Sequence, residues 1–307
     1  MIYGLDIGGT KIEMAVFRPD FSLVERWRVA TPTADYALFL QTVSAQVAAA
    51  DQKYGDKAAV GIALPGVVAP VGLVTSSNVV CLNQQLVGSD LTQRLQRPVA
   101  IGNDCRLFVL SEALLGAGRG FRRVFGVILG TGAGGGLCVD GELYQGRHQL
   151  AGELGHQSIA ARVLAQYQLP LYRCGCGLDG CAETYISGTG LARLYRHFST
   201  RDVTTYDWLQ ALRAGDAVAQ HCFACYLDAL GAALAAQVLA YDPDVLVLGG
   251  GLSDIDEIFA ALPGAISRHL FAGVEVPLLR RAEFGAASGE RGAAILGARL
   301  CAQLSAS

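Results

Sequence analysis

Apolar positions alternate on either side of a Gly8-Gly9 pair, with Ile2, Tyr3 and Leu5 before it and Ile12, Met14 and Val16 after it, so the chain begins as two strands joined by a tight turn. A third strand is predicted near Leu23 to Val29. Phe39, Leu40, Val43, Val47 and Ala50 then recur at helical spacing, and the strand Ala59 to Leu64 follows. At Leu64-Pro65-Gly66 the chain must leave the sheet, because proline has no N–H to give a ladder. Residues 67–88 read as a loop or irregular hairpin that reaches toward a ligand. A short helix over Asp90 to Leu95 and a strand over Pro98 to Ile101 lead to Asn103-Asp104, a pair able to cap a helix ending near Leu115. The glycines of residues 116–120 are the expected crossing to a second half.

The strand-turn-strand unit comes twice. Residues 124–139 are an apolar run, then Gly130-Thr131-Gly132 with more glycines behind, then another apolar run. A long helix from about Asp216 to Tyr241 is ended by Asp242-Pro243-Asp244, which launches the strand Val245 to Leu248. Gly249, Gly250 and Gly251 follow, with a helix expected to start at Ser253 or Asp254. A last helix, Glu290 to Gln303, is apolar at Ala293, Ile295, Leu296 and Leu300.

Glycine turns after strands leave backbone N–H groups able to face an anion, and Thr10 and Lys11 add a hydroxyl and a charge, so the first turn suits phosphate. A plain hairpin is the alternative for any one such turn. Asp6 would repel phosphate unless a cation stood between them, and hydrated Mg²⁺ is the natural one. The repeated turn offers a second contact to a polyphosphate. Gly249, Gly250 and Gly251, before a helix start, make a place for a base and ribose against bare backbone.

Composition narrows the class. The chain has 307 residues, enough for two lobes, and a formal net charge of −3 with no block of Lys or Arg, which argues against nucleic acid. The longest apolar stretch, near residues 229–241, is Ala-rich and flanked by Asp228 and Asp242, so no membrane span is expected, nor an export signal before the first strand. An odd count of nine cysteines then favours thiols and metal over disulfides, in a cytoplasmic protein. Cys174, Cys176 and Cys181 alternate with glycines at a density no helix or strand tolerates, and His156 is available as a fourth ligand for a closed zinc site; three packed thiols are the alternative. Cys222 and Cys225 lie in an alanine-rich helical run and read as packed thiols.

Several segments together resemble the ROK family (repressor, open reading frame, kinase) of the actin-like ATPase superfamily. They are Asp6 to Lys11, Pro65-Gly66, Asn103-Asp104, Gly130 to Gly136, Glu153-Leu-Gly-His156, Cys174 to Glu183, Gly249 to Ser253, and Arg291-Gly-Ala-Ala294. Within the family the chain is most similar to bacterial N-acetylglucosamine kinases, then to fructokinases and glucokinases. The resemblance implies an α/β, duplicated, ribonuclease H-like fold of two lobes around a cleft that closes on sugar. Residues 1–118 form the small lobe and 119–289 the large one, with the final helix, 290–307, packing back on the small lobe. A homodimer acting on a small-molecule sugar and ATP is implied too.

The implied reaction is ATP-dependent phosphorylation of the 6-hydroxyl of N-acetyl-D-glucosamine. By resemblance Asp104 is the general base and Asn103 a contact to ring hydroxyls, where without it the pair reads as a helix cap. Glu153 and His156 address hydroxyls near C1 to C3, Glu183 completes that side, and Gly66 and Asn78 form the remaining wall. Gly8, Gly9, Thr10, Lys11, Gly130, Thr131 and Gly132 hold phosphates, Gly249, Gly250 and Gly251 face adenosine, Asp6 holds Mg²⁺ through water, and His156, Cys174, Cys176 and Cys181 hold zinc. Cys105-Arg106 departs from the Ala-Asn that many relatives carry, and places a cation near the expected base. The segment Asn78 to Asn83 is similar to fructokinases, whereas Leu169-Pro170-Leu171 and Arg173 favour N-acetylglucosamine. The rival readings are a kinase for another hexose, a sugar-responsive repressor and an actin-like structural ATPase. The repressors carry a helix-turn-helix ahead of the phosphate turn, where this chain has five residues before Asp6.

Overall fold

The computed structural model describes residues 1–55, 57–76, 78–201 and 203–306. Its first half contains strands β1 (Ile2–Ile7), β2 (Lys11–Phe17) and β3 (Leu23–Ala30), helix α1 (Tyr36–Tyr54), strands β4 (Ala59–Leu64), β5 (Val67–Val68) and β6 (Val74–Thr75), helix α2 (Val87–Leu95), strand β7 (Val99–Asn103) and helix α3 (Asp104–Leu114). The second half contains β8 (Arg123–Leu129), β9 (Ala133–Val139), β10 (Glu142–Leu143), α4 (Ala161–Tyr167), α5 (Glu183–Ile186), α6 (Gly188–Ser199), α7 (Thr205–Arg213), α8 (Ala217–Tyr241), β11 (Val245–Gly249), α9 (Asp256–Ser267), β12 (Leu278–Arg281) and α10 (Ser288–Ala306).

Two five-stranded sheets share one plan, β3-β2-β1-β4-β7 and β10-β9-β8-β11-β12. In the first, β1 is antiparallel to β2 and parallel to β4, which is parallel to β7; in the second, β11 is parallel to both β8 and β12. This recurrence is the duplication expected from the repeated strand-turn-strand unit. By compactness the chain forms one unit of residues 1–119, 137–151 and 284–307, and another of 120–136 and 152–283. Residues 137–151 thus group with the first unit, because the far half of β9 and β10 pack beside α3 and α10, an association that no local pattern announces. Ser307, the end of the segment expected to pack back, lies outside the described residues.

Alternation along β1 explains the first unit. Tyr3, Leu5 and Ile7 point into a core shared with Phe39, Val43, Val47 and Ala50 of α1 and with Val87 and Leu91 of α2. The other face, Ile2, Gly4 and Asp6, receives α10, which also lies against β4 and α3. That approach is close enough that a methyl group on Gly4 would land on the carbonyl of Glu290, and one on Gly61 on the carbonyl of Ala293. Glycine is required there for space. Gly61→Ala is therefore expected to cost about 3 kcal/mol or more through overpacking, read as a lowered midpoint in urea unfolding; a midpoint unchanged from wild type would show that α10 sits less tightly.

In the second unit α8 packs against α6, α7 and α9, and Trp208 and Tyr226 are fully buried. By length and hydropathy α8 would suffice to cross a membrane, contrary to the expectation from its flanking aspartates, yet most of it is buried within the protein. Its Asp228 is satisfied by His269 Nε2 at 2.8 Å. Cys222 and Cys225 are packed thiols in the same helix, fully buried.

Several bounds move by a few residues. α2 begins at Val87 rather than Asp90, β7 runs on to Asn103, and α10 spans Ser288–Ala306. Within 67–88 the expected irregular hairpin is β5 paired with β6, followed by a 3₁₀ turn over Val80–Leu82.

Candidate active site

Asp6 lies near the end of β1, one residue before the turn, on the face that receives α10, with Gly289 packed against its carboxylate. Burial raises its carboxyl well above the usual range, and the nearby charges of Asp104 and Glu290 raise it further. Such a group stays ionised best beside a cation. At the turn itself, Gly8 N donates to Lys11 O at 2.8 Å and Thr31 Oγ1 to Gly8 O at 2.7 Å, which fixes the loop while Gly9 and Thr10 stay exposed at its tip. Lys11 holds its ammonium 2.7 Å from Glu13, two residues on along the same strand face. Asn78 lies alongside, its backbone in contact range of Gly9.

Asn103 caps α3 as the sequence predicts, its Oδ1 accepting from Arg106 N at 3.1 Å. The same side chain does more. Its Nδ2 donates to Gly66 O at 2.9 Å and to Asp104 Oδ1 at 3.0 Å, and Cys105 N adds a further bond to that oxygen at 2.8 Å. Two donors on one oxygen lock the Asp104 rotamer, while Asn103 Oδ1 retains a lone pair for a hydroxyl. Gly66 reaches this position at φ +110°, where a side chain would strike Thr75 O. Arg106 is buried, with Nε donating to Ala151 O at 3.2 Å.

The second glycine turn, in the other unit, is built differently. Gly130 N donates to Gly132 O at 3.0 Å, and the start of α6 closes on the loop: Gly188 N donates to Gly130 O at 2.7 Å and Thr189 Oγ1 to Thr131 O at 2.9 Å. Ser187 caps α6 through Gly190 N. This Ser-Gly-Thr-Gly support was missed in the sequence, although a capping serine before glycines is a readable signal. The third cluster backs onto the second turn, with Leu252 N donating to Leu129 O at 3.0 Å and Gly250 held at φ +83°. No helix starts at Ser253 or Asp254. Ser253 folds back, its Oγ and N both bonded to Gly250 O, so α9 begins only at Asp256.

His156 and the three cysteines converge: their ligand atoms all lie within 4.8 Å of one another. Cys176 Sγ is 3.6 Å from Cys181 Sγ, and Cys174 Sγ is 3.7 Å from His156 Nδ1. Tetrahedral zinc with Zn–S near 2.3 Å sets its sulfurs about 3.8 Å apart, so the donor set fits that ion. Burial, with the neighbouring thiols, pushes Cys181 up to about 12 and burial raises Cys174, while the Leu178 backbone N–H lowers Cys176, so the three become thiolates together only around a cation. Short backbone pairings hold the loop, Ser158 with Cys181 and Arg173 with Asp179.

Glu183 joins this cluster to the second turn. Its Oε2 accepts from Ala133 N at 3.0 Å and its Oε1 lies 4.0 Å from Cys174 Sγ, while Gly155 packs against its Cβ and against Ala133 O. Glu153 opens the 3₁₀ turn Leu154–His156, and its carbonyl accepts from His156 N at 3.1 Å. The sequence singled out Glu183 as a sugar contact; its bond to Ala133 was not foreseeable, because the partners lie 50 residues apart.

The model of the ROK family matches residues 2–299. The chain is 58% identical over 305 residues to the N-acetylgalactosamine kinase AgaK of Shewanella sp. strain ANA-3, covering 99% of each. It is 38% identical over 300 residues to an N-acetyl-D-glucosamine kinase of Mannheimia succiniciproducens, covering 96% of this chain and 99% of the relative. Among solved structures, a ROK family glucokinase from Streptomyces griseus in complex with glucose and AMPPNP superposes with a TM-score of 0.81 at 29% identity, over 97% of this chain and 99% of the other. With the duplicated actin-like fold, these matches show that the chain belongs to the ROK family, as an ATP-dependent sugar kinase.

Proposed function

We propose that the protein transfers the γ-phosphoryl group of ATP to the 6-hydroxyl of an N-acetylhexosamine, with N-acetyl-D-galactosamine the preferred acceptor, in the cytoplasm and as a homodimer. The observation that carries the choice of sugar is the 58% identity, end to end, with the Shewanella N-acetylgalactosamine kinase. N-acetyl-D-glucosamine, the sugar implied by the sequence motifs, is the second reading, supported by the 38% identity with the Mannheimia enzyme. The two sugars differ only in the orientation of the 4-hydroxyl.

In this reading Asp104 accepts the proton of the attacking hydroxyl, a task suited to a carboxylate held by two hydrogen bonds at a helix start. Asn103 offers its remaining lone pair to a ring hydroxyl, and Glu153, His156 and Glu183 take further hydroxyls, with Gly66 and Asn78 beside them. The exposed tip Gly9-Thr10 and the turn Gly130 to Gly132 contact phosphates, and Gly249 to Gly251 face adenosine. Asp6 would hold Mg²⁺, which when bound neutralises charge on the triphosphate. His156, Cys174, Cys176 and Cys181 would hold a structural zinc whose task is to shape the loop that carries Glu183.

A coupled ATP assay across N-acetylgalactosamine, N-acetylglucosamine, N-acetylmannosamine, glucose and fructose tests the choice. The expected result is a kcat/KM for N-acetylgalactosamine roughly tenfold or more above that for its 4-epimer, with the phosphate on C6 by NMR. Equal or better turnover of N-acetylglucosamine would hand the assignment to the second reading.

A further inference from the structure

Four chain passages join the two compact units, at residues 119/120, 136/137, 151/152 and 283/284. Three of them are bonded, on the first unit's side, to a single helix. Glu112 of α3 has no solvent exposure, and its Oε2 accepts from Ala117 N at 2.9 Å, two residues before the first passage. Its Oε1 accepts from Phe284 N at 3.0 Å, the residue at which the chain returns, and from Ser288 Oγ at 2.7 Å at the head of α10. Further up the same helix, buried Arg106 donates from Nε to Ala151 O at 3.2 Å, at the third passage.

Apart from the bond to Ala117 N at the helix end, these bonds reach beyond α3, whose backbone ladder needs no side chain. A carboxylate wholly removed from water persists only with a full set of donors, and here two of them, Phe284 N and Ser288 Oγ, come from a segment 172 to 176 residues away. Helix α3 is short and rigid, and Asp104, its first residue, stands eight positions from Glu112, about 12 Å along the axis. A shift of a tethered passage therefore moves the helix, and the helix carries the carboxylate. We infer that α3 anchors the chain's passages out of and back into the first unit, and that Arg106 and Glu112 are positioning residues that set where Asp104 stands during phosphoryl transfer. This gives the arginine of the Cys105-Arg106 departure a structural task, since it bonds the chain at one of the passages.

The test uses Glu112→Gln in the full-length protein. It preserves volume but replaces one acceptor oxygen by an NH₂ group, so either Ala117 N or the Phe284–Ser288 pair loses its acceptor. The readings are kcat, KM for the sugar, and the ratio of ADP to sugar phosphate formed. The expected outcome is a loss of about tenfold in kcat/KM for the sugar together with an ADP-to-sugar phosphate ratio above one, because a displaced base lets water compete for the phosphoryl group. Ser288→Ala and Arg106→Lys should move the ratio in the same direction, and they carry the test if Glu112→Gln fails to fold. A merely structural role would lower the folded fraction and leave KM and the ratio at wild-type values; that result, or full wild-type kinetics, overturns the inference. It rests on Asp104 as base and not on the identity of the sugar. An active Asp104→Asn removes the base assignment, whereas wild-type behaviour of the α3 variants beside an inactive Asp104→Asn removes only the present one.

Discussion

Asp104→Asn is expected to lower kcat for sugar phosphorylation by about 10²- to 10⁴-fold while the dissociation constants for sugar and nucleotide stay within about twofold of wild type. The substitution is nearly isosteric and keeps Oδ1, so the bonds from Asn103 Nδ2 and Cys105 N survive and the start of α3 is undisturbed. What disappears is an oxygen able to take a proton. Asn103 leaves a separate trace, since its side chain ties Gly66, Arg106 N and Asp104 together: Asn103→Ala should raise KM as well as lower kcat. Calorimetry for binding and a coupled assay for turnover separate these effects. Turnover by Asp104→Asn within about threefold of wild type would end the base assignment.

Removal of the proposed zinc is expected to have the next largest effect. Chelation, or Cys176→Ser, is expected to weaken sugar binding by about 10- to 100-fold and nucleotide binding much less. Cys176 is the exposed thiol of the set, so its replacement disturbs little packing. The geometry gives the reason for the asymmetry. Cys174 touches Glu183, Cys181 is paired with Ser158 just beyond His156, and Gly155 packs on Glu183, so the loop and both proposed sugar carboxylates share one support. The proposed phosphate turn meets this support at its edge, through the bond from Ala133 N to Glu183 and the packing of Gly155 on Ala133 O. Equal losses for sugar and nucleotide would refute this division, and wild-type protein without about one zinc per chain by elemental analysis would refute the metal itself.

How far the chain was legible depended on whether a signal was local. The first turn was readable because two glycines between alternating apolar residues dictate a hairpin wherever they occur, and the cap at Asn103 because its bond reaches only to Arg106. The ion pair of Lys11 with Glu13 is equally local, because residues two apart on a strand share a face. The late start of α9 turned on the hydroxyl of Ser253 choosing Gly250 O, a competition between turn and cap that composition does not resolve.

The sequence by itself determined the repeated strand-turn-strand plan, the capped helix bearing Asp104 and the four zinc-type ligands, because periodicity, capping and ligand chemistry act over a few bonds. Only the tertiary structure decided that Glu112 gathers Ala117, Phe284 and Ser288, that Glu183 bonds Ala133, and that α10 rests on Gly4 and Gly61. Those contacts arise from burial, which leaves polar groups to find partners wherever packing brings them; apart from the bond to Ala117, they join residues 50 or more positions apart, which no local pattern encodes.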